Sequence, residues 1–151
     1  MVTIRKMTMK DREEVLHMMR VFYDSPAVAW KVDSKILEQD FSDAAGDNPL
    51  IDGFVFAESE AEDAKILGYA MTAMCYATEF GGLCVWLEDL YLKPEVRGQG
   101  IAKQFFPYLE SYYPQAVRYK LEVETENEAA IAVYKREGYG VSPYFVMTKE
   151  M

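Results

Sequence analysis

The chain has 151 residues, half of them apolar and 14% aromatic, a composition that suits one globular domain with a sizeable core and excludes a disordered polymer. Sixteen basic residues against twenty-five acidic ones leave a net charge of −9, which argues against a nucleic-acid binder with a broad basic face. No apolar run approaches the roughly 18 residues of a membrane span, and the N-terminal MVTIRKMTMKDREE lacks the apolar stretch of a signal peptide, so a cytoplasmic protein engaging neither nucleic acid nor membrane is expected. The simplest reading of the acidity is solubility. It would also steer a cationic small substrate or a basic polypeptide toward the surface.

In chain order, VTIRKMT (2–8) reads as a strand with Val2, Ile4 and Lys6 on one face. Residues 11–23 carry Val15, Leu16, Met18, Met19, Phe22 and Tyr23 at the spacing of an amphipathic helix, and Ser25-Pro26 ends it. The single histidine, His17, lies in this run as a surface or flanking residue. A weaker helix follows over 34–44, and Gly46-Asp47-Asn48-Pro49 is loop chemistry. Three strand-like runs come next, at 53–59, 66–78 and 83–92, joined by links short enough to imply an antiparallel meander. A last turn centred near residue 80 makes Cys75 and Cys84 near-opposite neighbours across a hairpin. In a reducing compartment these should be free thiols. With one histidine they form no metal-binding spacing, and no metal is expected.

After residue 92 the pattern switches. A helix over 100–112 buries Ile101, Ala102, Phe105, Phe106, Leu109 and Tyr112, with a kink expected at Pro107. RYKLEVET (118–125) reads as a strand, 127–138 as a helix stopped by Gly138, and SPYFVMTK (142–149) as a closing strand. Only the passage from 92 to 118 has the form of a parallel crossover. The expected fold is a single α+β domain over 1–151, with a mixed, mostly antiparallel sheet of about seven strands.

One stretch resists a purely structural reading. Gly98-Gln99-Gly100 falls between a strand and the first turn of a helix, although glycine is the costliest residue to order. Free backbone N–H groups and the positive end of a helix dipole meet there, and a bare backbone lets an anion approach them. Arg97 adds a positive charge. A dinucleotide fingerprint would need a third glycine where Lys103 stands, and a P-loop would need Gly-Lys-Ser/Thr where the chain has Ala102-Lys103-Gln104. An ordinary Gly-rich turn remains the bland alternative.

The pattern Arg97-x-x-Gly100-x-Ala102 resembles the coenzyme A pyrophosphate loop of the GNAT acyltransferase superfamily. In NEAAIAVYKREGY, Asn127, Ala130 and Tyr134 share one helix face and are similar to the Asn-x-x-Ala…Tyr signature that ends GNAT domains. On their own, Asn127 is also a good N-cap and Tyr134 a plausible core residue. The resemblance is strongest over 85–140 and implies a sheet flanked by about four helices.

It also implies attack of an amine on acetyl-CoA in a ternary complex, without an acyl-enzyme or a metal. Gly98, Gln99, Gly100, Ile101, Ala102 and Lys103 would hold the diphosphate beside Arg97. Leu90, Tyr91 and Leu92 would pair with the pantetheine amides like an added strand, and a bulge would free the N–H of Leu90 to polarise the thioester. Asn127 and Ala130 would touch the pantetheine arm, and Tyr134 would protonate the departing thiolate. Glu88, just before the bulge, is the candidate base, acting through water, and Glu88 with Asp89 would bind the substrate cation. A solvated strand end is the alternative for this pair, which is flanked by Trp86, Leu87, Leu90 and Tyr91.

"LEDLYL…RGQGIAK…VYKREG" is similar to the diamine/spermidine acetyltransferase branch, which implies a small-molecule amine acceptor, drawn in with the help of Glu124 or Glu126, and a homodimer. Glu126 stands where that branch often has an aromatic residue. Acetylation of a protein N-terminus, a lysine or an aminoglycoside, and a non-catalytic acyl-CoA-binding module, are the competing readings.

Overall fold

The computed structural model describes residues 1–151. The elements, with helices and strands numbered in chain order, are β1 (Thr3–Lys6), α1 (Arg12–Tyr23), α2 (Ser34–Ala45), β2 (Ile51–Ala57), β3 (Ile66–Ala77), β4 (Gly82–Leu92), α3 (Ile101–Tyr112), β5 (Ala116–Leu121) and α4 (Glu128–Arg136). A short 3-10 turn precedes α1 at Met9–Asp11, and another follows β4 at Pro94–Val96. The five strands form one sheet in the order β1-β2-β3-β4-β5. All neighbours are antiparallel except β4 and β5, which run parallel across the α3 crossover.

The sheet is buried on both faces. Val55, Ala57, Tyr69, Met71 and Tyr91 pack with Val15, Leu16, Met18 and Met19 of α1 and with Leu37, Phe41 and Ala44 of α2. Phe54, Phe56, Ala70, Val85 and Leu87 pack on the other side against Ile101, Phe105, Phe106 and Leu109 of α3. This two-sided burial explains why β2 and β3 read as nearly continuous apolar runs despite antiparallel pairing. Each fully buried large side chain contributes about 1.5–3 kcal/mol by leaving water.

Local chemistry sets the helix ends. Asp11 accepts from the Thr8 N–H at 2.8 Å, and Arg5 forks onto its two oxygens at 2.9 and 2.8 Å, so the buried acid is fully paired at the start of α1. Asp33 caps α2 by accepting from the Lys35 N–H at 2.8 Å. At the far end of α3 the Tyr113 hydroxyl bridges Asp52 of β2 (2.5 Å) and Thr72 of β3 (2.8 Å). Helix α3 continues unbroken through Pro107. The N–H that proline lacks would have served the carbonyl of Lys103, an exposed residue whose carbonyl water can reach.

The expected seven strands are five, and the closing strand at 142–149 does not form. Pro143 cannot donate to a ladder, and the run that remains has no layer to pack beneath. Phe145 is 99% exposed and Met147 92% exposed, and the outer edge of β5 stays unpaired. The strand expected over 118–125 also stops at Leu121. Cys75 and Cys84 are direct cross-strand partners, and both are free thiols.

Gly68 of β3 is needed for space. A Cβ there would lie 2.3 Å from the carbonyl oxygen of Tyr91 and 2.8 Å from Leu92 Cδ2. Gly68→Ala should therefore push β3 from β4 and cost about 1–3 kcal/mol in urea unfolding. A denaturation midpoint unchanged from the parent would show that the two strands separate freely.

Candidate active site

The site originates in one irregularity of β4. Leu87 pairs with Thr72 and Asp89 with Met71, adjacent residues of β3, so Glu88 is the extra residue of a β-bulge. The bulge thus lies at Glu88 itself, two residues before the position the resemblance implied. It reverses the alternation of the strand. Val85 and Leu87 face α3, and in regular pleating Asp89 would follow them. Instead Asp89 and Tyr91 turn to the α1 side, while Leu90 and Leu92 turn to the α3 side.

Pairing between β4 and β5 also ends here, at Leu87 opposite Leu121. Beyond it the two parallel strands diverge into a wedge. The Lys93 N–H donates to the carbonyl of Leu67 on β3 (2.9 Å), so alternation directs the Tyr91 N–H to β3 as well. The N–H groups of Leu90 and Leu92 then face the side that β5 has left. The side chain of Tyr91 packs toward α1, which leaves only its backbone near the wedge.

The wedge opens into a cleft of about 530 Å³ that brings together Glu88, Asp89, Leu90, Asn127, Ala130 and Tyr134. Asn127 caps α4 by accepting from the Ala130 N–H at 3.2 Å through Oδ1, so its Nδ2 donors are not used by the cap. Tyr134 stacks edgewise on Phe106, and its hydroxyl is uncommitted and open to the cleft. Burial raises its pKa above the ordinary phenol value, which keeps the proton on at neutral pH. Glu88 reaches the cleft. Desolvation, and then the negative charges of Asp89, Glu122 and Asp40, raise its pKa.

Asp89 is different: it is only 3% exposed, and both of its carboxylate oxygens are occupied. Tyr23 donates to Oδ1 at 2.7 Å and Tyr69 to Oδ2 at 2.8 Å. Burial pushes its pKa up to about 6, and the two tyrosine donors oppose that rise.

The loop between β4 and α3 forms a second, chain-contiguous part of the site. Gly98 and Gly100 have φ of +74° and +80°, a region that disfavours any side chain, and a Cβ at either would meet nothing within 4 Å. Backbone conformation, not crowding within the protein, is what demands glycine at these two positions. The first intrahelical bond of α3 runs from Gln104 N–H to the Gly100 carbonyl (3.3 Å), which leaves the N–H groups of Ile101, Ala102 and Lys103 free. Arg97 is held over this loop by Nε donating to the Leu92 carbonyl (2.9 Å) and by its place 5.5 Å from the Tyr91 ring centroid. Gln99 donates to the carbonyl of Glu95 at 3.2 Å, so its side chain stabilises the turn. Free N–H donors, a helix N-terminus and a guanidinium are the parts that could cradle an anion beside the slot. Glu126 is not among the cleft residues, whereas Glu124 is.

Several cleft residues were missed from the sequence. Glu122 follows Leu121 as Glu88 follows Leu87, and parallel pairing of the two leucines brings both Leu-Glu pairs to the wedge mouth. That repeat was a readable signal. Tyr23, Val28 and Trp30, from the end of α1 and the loop after it, form the facing wall, and no local pattern marks them.

The chain is similar to known proteins over most of its length. Residues 14–139 match the model of the acetyltransferase (GNAT) family. The thialysine N-epsilon-acetyltransferase of Sus scrofa is 29% identical over 144 residues, covering 91% of this chain and 83% of that protein. The same enzyme of Mus musculus is 27% identical over 139 residues, covering 87% and 80%. Among solved structures, a possible acetyltransferase from Clostridium difficile 630 superposes with a TM-score of 0.81 at 19% identity, covering 99% of this chain and 97% of that one. An aminoglycoside N-acetyltransferase in complex with CoA superposes with a TM-score of 0.78 at 15% identity, covering 99% and 95%. At such identities the structural likeness is one of fold, but the family match spans most of the sequence, including the wedge, the cradle and α4. The chain belongs to the GNAT acetyltransferase family.

Proposed function

We propose that this acetyltransferase moves the acetyl group of acetyl-CoA to a cationic alkyl amine, with a polyamine as the best-fitting acceptor. The observation that carries the acceptor class is the charge of the cleft. Its charged lining residues are Glu88, Asp89, Glu122 and Glu124, with no lysine, arginine or histidine among them. Ammonium groups would be drawn in by that field, whereas the α-carboxylate of an amino acid would be repelled by it. The apolar wall of Phe22, Val28 and Trp30 suits methylene segments between charged ends.

The roles follow from position. The N–H groups of the Gly98–Lys103 turn and the charge of Arg97 would hold the diphosphate. Leu90 and Leu92 would receive the pantetheine arm along the strand edge vacated by β5, with Asn127 and Ala130 of α4 on the other side. The Leu90 N–H would then sit where it can stabilise the oxyanion formed at the thioester carbonyl. Glu88 takes a proton from the ammonium, directly or through water. The free amine forms the C–N bond, the C–S bond breaks, and the Tyr134 hydroxyl gives its proton to the sulfur, while the proton that the new amide nitrogen must lose returns through solvent to the tyrosine oxygen. The open edge of β5 and the exposed residues Tyr144–Met147 support a homodimer, since strand addition between two copies would cover both.

A second reading has specific support: the thialysine N-epsilon-acetyltransferases favour a lysine-like acceptor. Thiol release from acetyl-CoA with spermidine, thialysine and a neutral aryl amine separates the two. The polyamine reading expects the highest kcat/KM for spermidine, falling as salt screens the acidic cleft. Preference for thialysine, or salt-independent turnover of spermidine, would contradict it.

Tyr134→Phe should lower kcat by about 10²–10⁴, the usual worth of a general acid. Acetyl-CoA affinity, measured by calorimetry, should change little, because the hydroxyl acts when the thiolate departs. An unchanged kcat under conditions where chemistry limits turnover would assign Tyr134 to packing alone.

A further inference from the structure

We propose that Tyr23 and Tyr69 are positioning residues of the acetyl transfer: through Asp89 they pin the β4 bulge, and so fix both the wedge and the direction of Glu88. The proposal rests on the functional reading above and assigns Asp89 a task other than touching the acceptor.

Three observations support it. The bulge decides which face Asp89 occupies. Slipping the strand back into regular pleating would move Asp89 to the face of Val85 and Leu87, among the apolar side chains of α3. A carboxylate there would lose its donors and leave two tyrosine hydroxyls without their acceptor, an expensive outcome in a buried setting.

The pairing is also saturated. Each oxygen of Asp89 takes one tyrosine hydroxyl. The other groups acting on it are acidic, Asp40 of α2 and its neighbour Glu88 on β4, and no cation helps to hold the charge. The two hydrogen bonds are therefore its main stabilisation, and hydrogen bonds to a charged acceptor are the stronger kind.

Finally, the pin joins the parts that must stay aligned. Tyr23 is the last residue of α1, immediately before the segment that supplies Val28 and Trp30 to the cleft wall. The preceding residue, Phe22, packs edgewise on Tyr69 and Tyr91 at 6.3 and 6.2 Å. Acceptor wall, bulge and sheet are thus joined by direct contacts. A phenylalanine would fill the space of either tyrosine, so the hydroxyls are present for Asp89.

The test uses Tyr23→Phe and Tyr69→Phe, each alone and combined with Asp89→Asn. Each single tyrosine variant should lose about tenfold or more in kcat, since small misplacements of reacting groups are costly. The hydroxyl donors lower the Asp89 pKa, so removing one should raise it further and move the acid limb of kcat to higher pH. The losses should not multiply when Tyr23→Phe is added to Asp89→Asn, because both break the same unit. A role confined to stability would lower the melting temperature and leave the acid limb in place. An unmoved limb with parental kcat in both tyrosine variants, or losses that multiply with Asp89→Asn, would overturn the proposal. Carbon-13 titration of the Asp89 carboxyl gives a readout independent of turnover. A midpoint near 6 that rises in Tyr23→Phe supports the pin even if the acceptor is misassigned, and an unchanged midpoint refutes it.

Discussion

One extra residue in β4 governs the site. Because Glu88 is bulged, the strand changes face midway, its pairing with β5 ends, and its N–H groups at Leu90 and Leu92 turn toward an open edge. A sheet interior normally leaves no backbone donor free, since an unpaired buried N–H costs about as much as a lost hydrogen bond. Here the sheet instead exposes donors along a slot whose other wall is α4. In the proposed function the binding surface would thus be the backbone itself, shaped by where pairing stops.

Charge is arranged around that slot in two separated sectors. The cradle of Gly98–Lys103, with Arg97, is positive by helix dipole and side chain, while the cleft beyond Leu90 is lined by acids alone. A donor carrying phosphates and an acceptor carrying ammonium groups would approach from opposite ends and meet at the bulge. Desolvation, reinforced by the acidic neighbours, raises the pKa of Glu88, and burial raises that of Tyr134. These directions make Glu88 a stronger base than an ordinary carboxylate and leave Tyr134 its proton at neutral pH, the pair of states that the proposed amine deprotonation and thiol release would require.

Much of this was legible in the sequence, because it is local. Helices α1 to α4 fall within a few residues of the periodic patterns, and the glycines at 98 and 100 mark a strand–helix junction with left-handed backbone whatever its ligand. The parallel crossover to β5 followed from the length of the 92–118 passage. The tail was misread because Tyr144–Met147 is a short apolar run of strand-forming residues, yet nothing in a local pattern supplies the neighbour that a strand must have. The position of the bulge was missed for a similar reason. It is defined by register against β3, and the tyrosines that hold it lie 66 and 20 residues from Asp89 in the chain. Glu122 was legible in principle, through the second Leu-Glu pair, once parallel pairing of β4 and β5 is granted.

The central claim is that the strand edge opened by the bulge receives the coenzyme. Amide hydrogen exchange at Leu90 and Leu92, followed with and without saturating CoA, tests it most directly. Exchange at both amides should be fast for a sheet interior in the free protein, and should slow by about tenfold or more when CoA is bound, as expected for donors that become paired. Binding of CoA with no change in exchange at either amide would contradict the claim, because the coenzyme would then lie elsewhere than in the wedge.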